Sequence, residues 1–151
     1  MILYVDASAI VAIVGNEDMS PAVEAALDRD GVIAIVTDLA VAESSAALAR
    51  NGRLRQWSGA ETDRFYRDLD NWASDAAEAV AIRPADVEQA TDFVRRDGII
   101  LRAPDAIHIA AAHRLGATLL TLDHGMARAA AALGVPYLNP AEGLAPGEPK
   151  D

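Results

Sequence analysis

The sequence predicts an α/β fold, a central and mostly parallel sheet of about five strands with helices on both faces. Two observations predict it. Short apolar runs rich in β-formers recur at Ile2 to Val5, Val32 to Val36, Ala79 to Ile82, Ala117 to Thr121 and Val135 to Leu138. Each is short enough for a strand and apolar enough to be covered on both faces. Between them lie stretches of helical length and pattern, and strands that alternate with helices are joined by crossovers that run neighbouring strands parallel.

The first run stops at Asp6, and helices are predicted over Ser8 to Gly15 and Ser20 to Asp30 before the second strand begins. Asp38 to Arg50 and Gly59 to Ser74 read as the next two helices, with the polar, arginine-bearing segment Asn51 to Gly59 expected as a loop between them. After the third strand, helices are predicted from Pro84 to Asp97 and from Pro104 to Leu115. Both prolines suit a first helical turn, where a missing N–H leaves nothing unpaired. Gly116, and Gly134 after a helix over Asp123 to Leu133, stand where a left-handed residue closes an alanine-rich helix. From Glu142 onward the chain is rich in Pro and Gly, so residues 1–141 are expected as a single domain and 142–151 as a mobile tail.

Composition narrows the chemistry. The chain has 151 residues, no cysteine, and 13 basic against 23 acidic side chains, a formal charge of −10. That length suits one domain with a substantial core. The lack of cysteine excludes disulfides, Cys-ligated zinc, iron–sulfur clusters and thiol nucleophiles. All basic residues but Lys150 are arginine, so no reaction that needs a lysine inside the fold is available. Met1 to Asp6 lacks the basic start of an export signal, and no apolar run approaches the ~18 residues of a membrane span. A soluble, cytoplasmic protein without membrane contact is expected. The acidity speaks against nucleic acid as a partner, although a total says nothing about where charges sit.

In an open parallel sheet the ligand site lies beyond the carboxyl ends of the strands. Asp6 ends the first strand and Asp123 the fourth, Asp105 opens the helix after Pro104, and Glu43 lies in the helix after the second strand. For each of the three aspartates a helix cap accounts for the residue as well as a functional role does, at ~1 kcal/mol. Glu43 is about five residues into its helix among Ala, Val and Leu, where neither capping nor plain solvent exposure fits, and a buried charge needs a partner. His108 lies three residues after Asp105, so the two share a helix face. A packed core histidine and a catalytic one are both open readings of it. If the four carboxylates converge, each pair at about 6 Å repels by roughly 3 kcal/mol at an effective dielectric of about 20, and a divalent cation removes the strain. An all-oxygen set selects Mg²⁺ or Mn²⁺ over zinc, the equipment for phosphodiester hydrolysis.

The combination resembles the PIN-domain ribonucleases, and specifically the VapC-type toxins of toxin–antitoxin pairs, over nearly the whole chain from Ile2 to about Leu138. The parts that carry the likeness are a first strand ending in Asp6 with Ser8 two further on, Ala-Glu-Ser around Glu43, Pro-Asp-Ala-Ile-His around Asp105, and Thr-Leu-Asp with Thr121 and Asp123. The resemblance implies a PIN-like three-layer fold and an acidic site that binds Mg²⁺ or Mn²⁺ and cleaves RNA. By that analogy Asp6, Glu43, Asp105 and Asp123 hold the metal, directly or through water, and Ser8 and Thr121 orient a carboxylate or a bound water. Where many relatives place a further acidic or aromatic residue after the last aspartate, this chain has His124, Gly125 and Met126, which leaves one or two metals open. The resemblance further implies a homodimer and a cognate antitoxin that lays a segment into the groove.

For phosphate contact the candidates are Arg50, Arg53 and Arg55 around the expected loop, and Arg95, Arg96 and Arg102 before Asp105, with Arg102 closest in sequence to a site carboxylate. Solvated surface charge is the competing reading for each. Trp57, Phe65, Tyr66 and Trp72 would suit either a partner groove or core packing. Two rival functions remain: an aspartate-based phosphatase, which needs the interior lysine this chain lacks, and an inactive PIN-like binding or scaffold module, whose mark would be a missing carboxylate.

Overall fold

The computed structural model describes residues 1–142. The elements run β1 (Ile2–Val5), α1 (Ala7–Val14), α2 (Ser20–Leu27), β2 (Ile33–Thr37), α3 (Asp38–Arg55), α4 (Gly59–Asp75), β3 (Glu78–Val80), α5 (Pro84–Val94), α6 (Ala103–Arg114), β4 (Thr118–Leu120), α7 (His124–Ala132) and β5 (Tyr137–Leu138). The five strands form one sheet in the order β3-β2-β1-β4-β5, parallel throughout. Tyr4 sits opposite Ile35 on one side and Leu119 on the other. The segment expected as a tail lies, from Gly143 on, outside the described residues.

Alternation along β1 divides the interior. Leu3 and Val5 face a cluster with Ile10, Val23, Val36, Leu48 and Leu69, built by α1 to α4. Tyr4 faces the opposite cluster with Phe93, Ile109, Leu119, Met126 and the alanines of α6 and α7. Successive side chains of a strand point to opposite faces, so this short strand supplies both cores of a three-layer sandwich. The chain winds from β1 outward to β3, then returns to the other side of β1 for β4 and β5. The strand order therefore reverses at β1, and a crevice opens beyond the ends of β1 and β4.

Every expected strand and helix is present, with shifted ends. The main correction concerns Asn51 to Gly59: α3 continues through Arg55 and stops at Gln56, whose φ of 55° is left-handed. Arginine is a good helix former, and Gly52 serves packing. A Cβ on Gly52 would lie 3.2 Å from both Thr62 Oγ1 and a ring carbon of Trp57, so the small residue lets α3 and α4 close on each other. Gly116 and Gly134 do take left-handed φ values, 61° and 74°.

One polar pair inside the fold had no signature in the sequence. Asp86 on α5 is buried and receives Arg114 Nε at 2.7 Å, Arg114 Nη2 at 2.9 Å and the backbone N–H of Arg83 at 2.8 Å. Desolvation pushes this carboxyl up, but the bonds from Arg114 and Arg83 outweigh it and leave it below the usual range. The pair thereby locks α5 to α6, the helix that carries Asp105. Among the described residues no helix is long and apolar enough to cross a membrane.

A buried hydroxyl stands out on α3. Ser44 is fully buried and its Oγ has no hydrogen-bond partner among the described residues. A buried polar group left unpaired costs about 1–3 kcal/mol. Ser44→Ala is therefore expected to stabilise the protein by about 1 kcal/mol in denaturant unfolding; a loss of stability would show that the hydroxyl has a partner.

Candidate active site

The crevice at the strand reversal holds a cavity of about 710 Å³ lined by Asp6, Glu43, Asp105 and Asp123, with Ser8 and His108 beside them. Residues from β1, α3, α6 and the end of β4 thus meet in one space although they are spread over more than a hundred positions of sequence. A second cavity of about 580 Å³ adjoins it through Glu17, Arg55 and Leu122, with His124 and Asn16 on its wall.

Asp6 is the most enclosed of the four. It caps α1 by accepting the Ala9 N–H at 3.1 Å, and the same oxygen accepts Ser8 Oγ at 2.7 Å. Its other oxygen accepts Thr121 Oγ1 at 2.8 Å. The two hydroxyls are themselves held: Ser8 Oγ accepts the Leu122 N–H at 2.9 Å and Thr121 Oγ1 accepts the Asp123 N–H at 3.0 Å. Capping and site geometry are therefore combined in one residue. Burial pushes the Asp6 carboxyl up, against the opposing pull of the bonds from Ser8, Ala9 and Thr121.

The other three carboxylates each keep one local partner. Asp123 caps α7 through the Met126 N–H at 2.8 Å. Asp105 accepts Arg102 Nε at 3.2 Å. Desolvation raises the Asp105 carboxyl, Arg102 opposes the rise, and the charges of Asp123 and Glu43 add to it. Glu43 accepts His108 Nε2. α3 buries only the stripe Ala40, Ser44, Leu48 and Gly52, so Glu43 lies on its flank with 32% of its side chain exposed. The expected burial of this glutamate is corrected: α3 is half-exposed, and the apolar neighbours in sequence are mostly alanines on its open sides.

His108 is both things the sequence left open. It is a buried core residue at 1% exposure, edge-on to the Tyr4 ring, and it touches a cavity carboxylate. Its Nδ1 lies 2.7 Å from Tyr4 Oη, which lies 3.0 Å from Thr37 Oγ1. Burial pushes the Tyr4 phenol well up, so its proton is retained. Neither Tyr4 nor Thr37 was singled out from sequence. The available signal was a phenol within an otherwise apolar central strand, placed by alternation on the face of the histidine's helix.

Among the described residues no group of three or more His, Asp or Glu side chains is already gathered into a cage for an ion. Each carboxylate is tied to a protein neighbour of its own, which offsets part of their mutual repulsion. The donor chemistry nonetheless fits a hard divalent ion. Glu43 Oε2, Asp105 Oδ1 and Asp123 Oδ2 have no hydrogen-bond partner among the described residues, and all line the cavity. Among the described residues Asp6 Oδ2 accepts only Thr121, and a carboxylate oxygen has two lone pairs.

Arg50, Arg53, Arg55 and Arg102 line the same cavity. The first three project from helix rather than from a loop, and with Glu43, Ala46 and Ala47 they give α3 one face toward the crevice. Arg95 and Arg96 do not line it; they follow α5, where Arg96 lies over the Phe93 ring. Trp57, Phe65, Tyr66 and Trp72 are partly buried against the core of α1 to α4, with Trp57 stacked on Phe65 at 4.2 Å, so packing accounts for them.

The model of the PIN domain family matches residues 3–132. Solved structures share the fold at low identity. A chain of VapBC2 from Rickettsia felis, determined with a promoter DNA fragment, superposes with a TM-score of 0.69 at 14% identity, over 92% of this chain and 98% of that one. FitAcB from Neisseria gonorrhoeae gives 0.68 at 21%, over 93% and 98%. VapC20 of Mycobacterium tuberculosis, a toxin that cleaves the sarcin–ricin loop, gives 0.66 at 16%, over 84% and 94%. No curated protein gives a significant match.

The burial of Asp6 has a consequence for stability. A carboxyl raised in the folded state favours folding most below its ordinary range, and that contribution is lost as pH rises through the raised value. Asn keeps the cap and carries no charge. Asp6→Asn in chelator is therefore expected to melt at or above wild type at neutral pH, with the gap closing as pH falls through the ordinary carboxylate range. A variant less stable than wild type at neutral pH would show that the bonds to Asp6 outweigh its burial.

Proposed function

The chain belongs to the PIN domain family, and from that premise we propose that it is a metal-dependent endoribonuclease acting as the toxin of a type II toxin–antitoxin pair. The observation that carries the reading is the convergence of four carboxylates on one arginine-rimmed cavity. The inactive scaffold alternative has no missing carboxylate to support it. A phosphatase would need a lysine, and the described residues contain none.

In this mechanism Asp6, Glu43, Asp105 and Asp123 hold Mg²⁺ or Mn²⁺, directly or through water. The bound ion would supply an activated water and offset charge developing at phosphorus. Ser8 and Thr121 keep the Asp6 carboxylate aimed into the cavity through their hydrogen bonds. Arg102, at the mouth and 79% exposed, can leave Asp105 for a phosphate at small cost, because exposed ion pairs are weak. Arg50, Arg53 and Arg55 extend the positive edge along α3 toward the adjoining cavity, a path for a strand longer than one nucleotide. The formal charge of −10 is then an average over an acidic pocket and its basic rim.

The toxin role, a cognate antitoxin, a homodimer and a cytoplasmic setting rest on likeness to VapBC and FitAB proteins. An antitoxin segment bearing a basic side chain would find in the same cavity the carboxylates it could neutralise.

Purified protein is expected to cleave RNA with Mg²⁺ or Mn²⁺, to stop in chelator, and to lose about 100-fold or more with Asp105→Ala. Its expression should arrest bacterial growth while Asp105→Ala does not. Cleavage that continues in chelator, or in the variant, would refute the metal mechanism. For binding measured in chelator, Arg50→Ala is expected to weaken all RNA sequences alike and to lower the salt slope by about one; an unchanged slope would place Arg50 off the phosphate path.

A further inference from the structure

A hydrogen-bond chain runs behind Glu43 from Thr37 through Tyr4 and His108. Thr37 Oγ1 caps α3 by accepting the Ala40 N–H at 3.2 Å, and its only other partner among the described residues is Tyr4 Oη. A hydroxyl oxygen has two lone pairs, so the Thr37–Tyr4 bond is satisfied in either direction, and Tyr4 Oη in turn meets His108 Nδ1. Whichever way those two bonds run, the chain ends on His108 Nε2 donating to Glu43 Oε1, because an ionised carboxylate oxygen only accepts.

We infer that Tyr4 and Thr37 are positioning residues for Glu43, acting through His108 from beneath the cavity floor. Tyr4 and Thr37 are 0% and 1% exposed and neither lines the cavity, so neither touches a substrate or an ion. Among the described residues Glu43 is the one carboxylate of the four whose only partner is distant in sequence, with no backbone N–H and no residue within a helical turn holding it. It reaches from the middle of a half-exposed helix on a flexible side chain. The relay fixes one of its oxygens, and with it the direction of the other. Carboxylate and imidazole groups that orient a ligand from behind typically change metal affinity by 10–100-fold when removed.

The inference rests on the metal reading above, and affinity for Mn²⁺ alone, measured on the full chain without RNA, separates the two. Wild type is expected to bind Mn²⁺, and Tyr4→Phe to bind it about 10-fold more weakly. Thr37→Val is expected to weaken binding in the same direction, and Thr37→Ser, which restores the hydroxyl, to recover it. The decisive readout is a double-mutant cycle. In a Glu43→Ala background, Tyr4→Phe should cause no further loss, because its effect passes through the missing carboxylate. If Tyr4→Phe costs as much there as in wild type, it acts by loosening the fold and the inference is overturned. Wild-type affinity in both Tyr4→Phe and Thr37→Val would also overturn it while leaving the metal reading in place. No Mn²⁺ binding by wild type would remove the metal reading and the relay's role together.

Discussion

The structure is organised around a carboxylate that has been taken out of water. Asp6 ends the central strand, and its two oxygens are met by a hydroxyl from the next helix, by the Ala9 N–H in the first turn of that helix and by a hydroxyl from the end of β4. An uncompensated charge in that position would cost several kcal/mol. Compensation ties together the parts that define the crevice: β1, the start of α1, and the β4 to α7 turn, whose own N–H groups lock Ser8 and Thr121. The other three carboxylates surround this fixed point on elements that reach it independently.

Burial and repulsion then work on different residues. Asp6 is raised chiefly by desolvation, and Asp105 by desolvation together with its acidic neighbours. Each carboxylate has a protein partner of its own, and among the described residues Glu43, Asp105 and Asp123 each keep an unpartnered oxygen. The Asp86 to Arg114 lock supports this from outside the crevice, because it sets α6 against α5 and so fixes where Asp105 begins.

Much of this was legible in the sequence because it follows from local chemistry. Apolar runs closed by Asp6 and Asp123 read as strand ends, and the prolines and glycines at helix borders take the conformations their chemistry requires. What could not be read was pairing across the sheet. Asn51 to Gly59 read as a loop because it is polar and arginine-bearing, whereas its first five residues continue α3 and Gly52 answers to Trp57 and to Thr62 of α4. Asp86 carries no sequence signal that sets it apart from the other acidic residues. Nothing in the sequence marked out Tyr4 or Thr37, and only the register Tyr4 to Ile35, with α6 laid over it, brings the Tyr4 hydroxyl to His108 and the Thr37 hydroxyl to Tyr4. Which arginines face the crevice likewise depends on helix direction, which favours Arg50 and Arg53 over Arg95 and Arg96.

The position of β1 in the sheet also bears on when the site exists. The strand is made first, yet its two neighbours are β2 and β4, and β4 follows it by more than a hundred residues. During synthesis on the ribosome, Asp6 has no Thr121 to receive a bond from, and neither Asp105 nor Asp123 has been made until most of the chain is built. Closing so long a loop is slow and delivers its contacts late. A nascent copy therefore has no assembled acidic pocket until β4 and the residues just after it have been made.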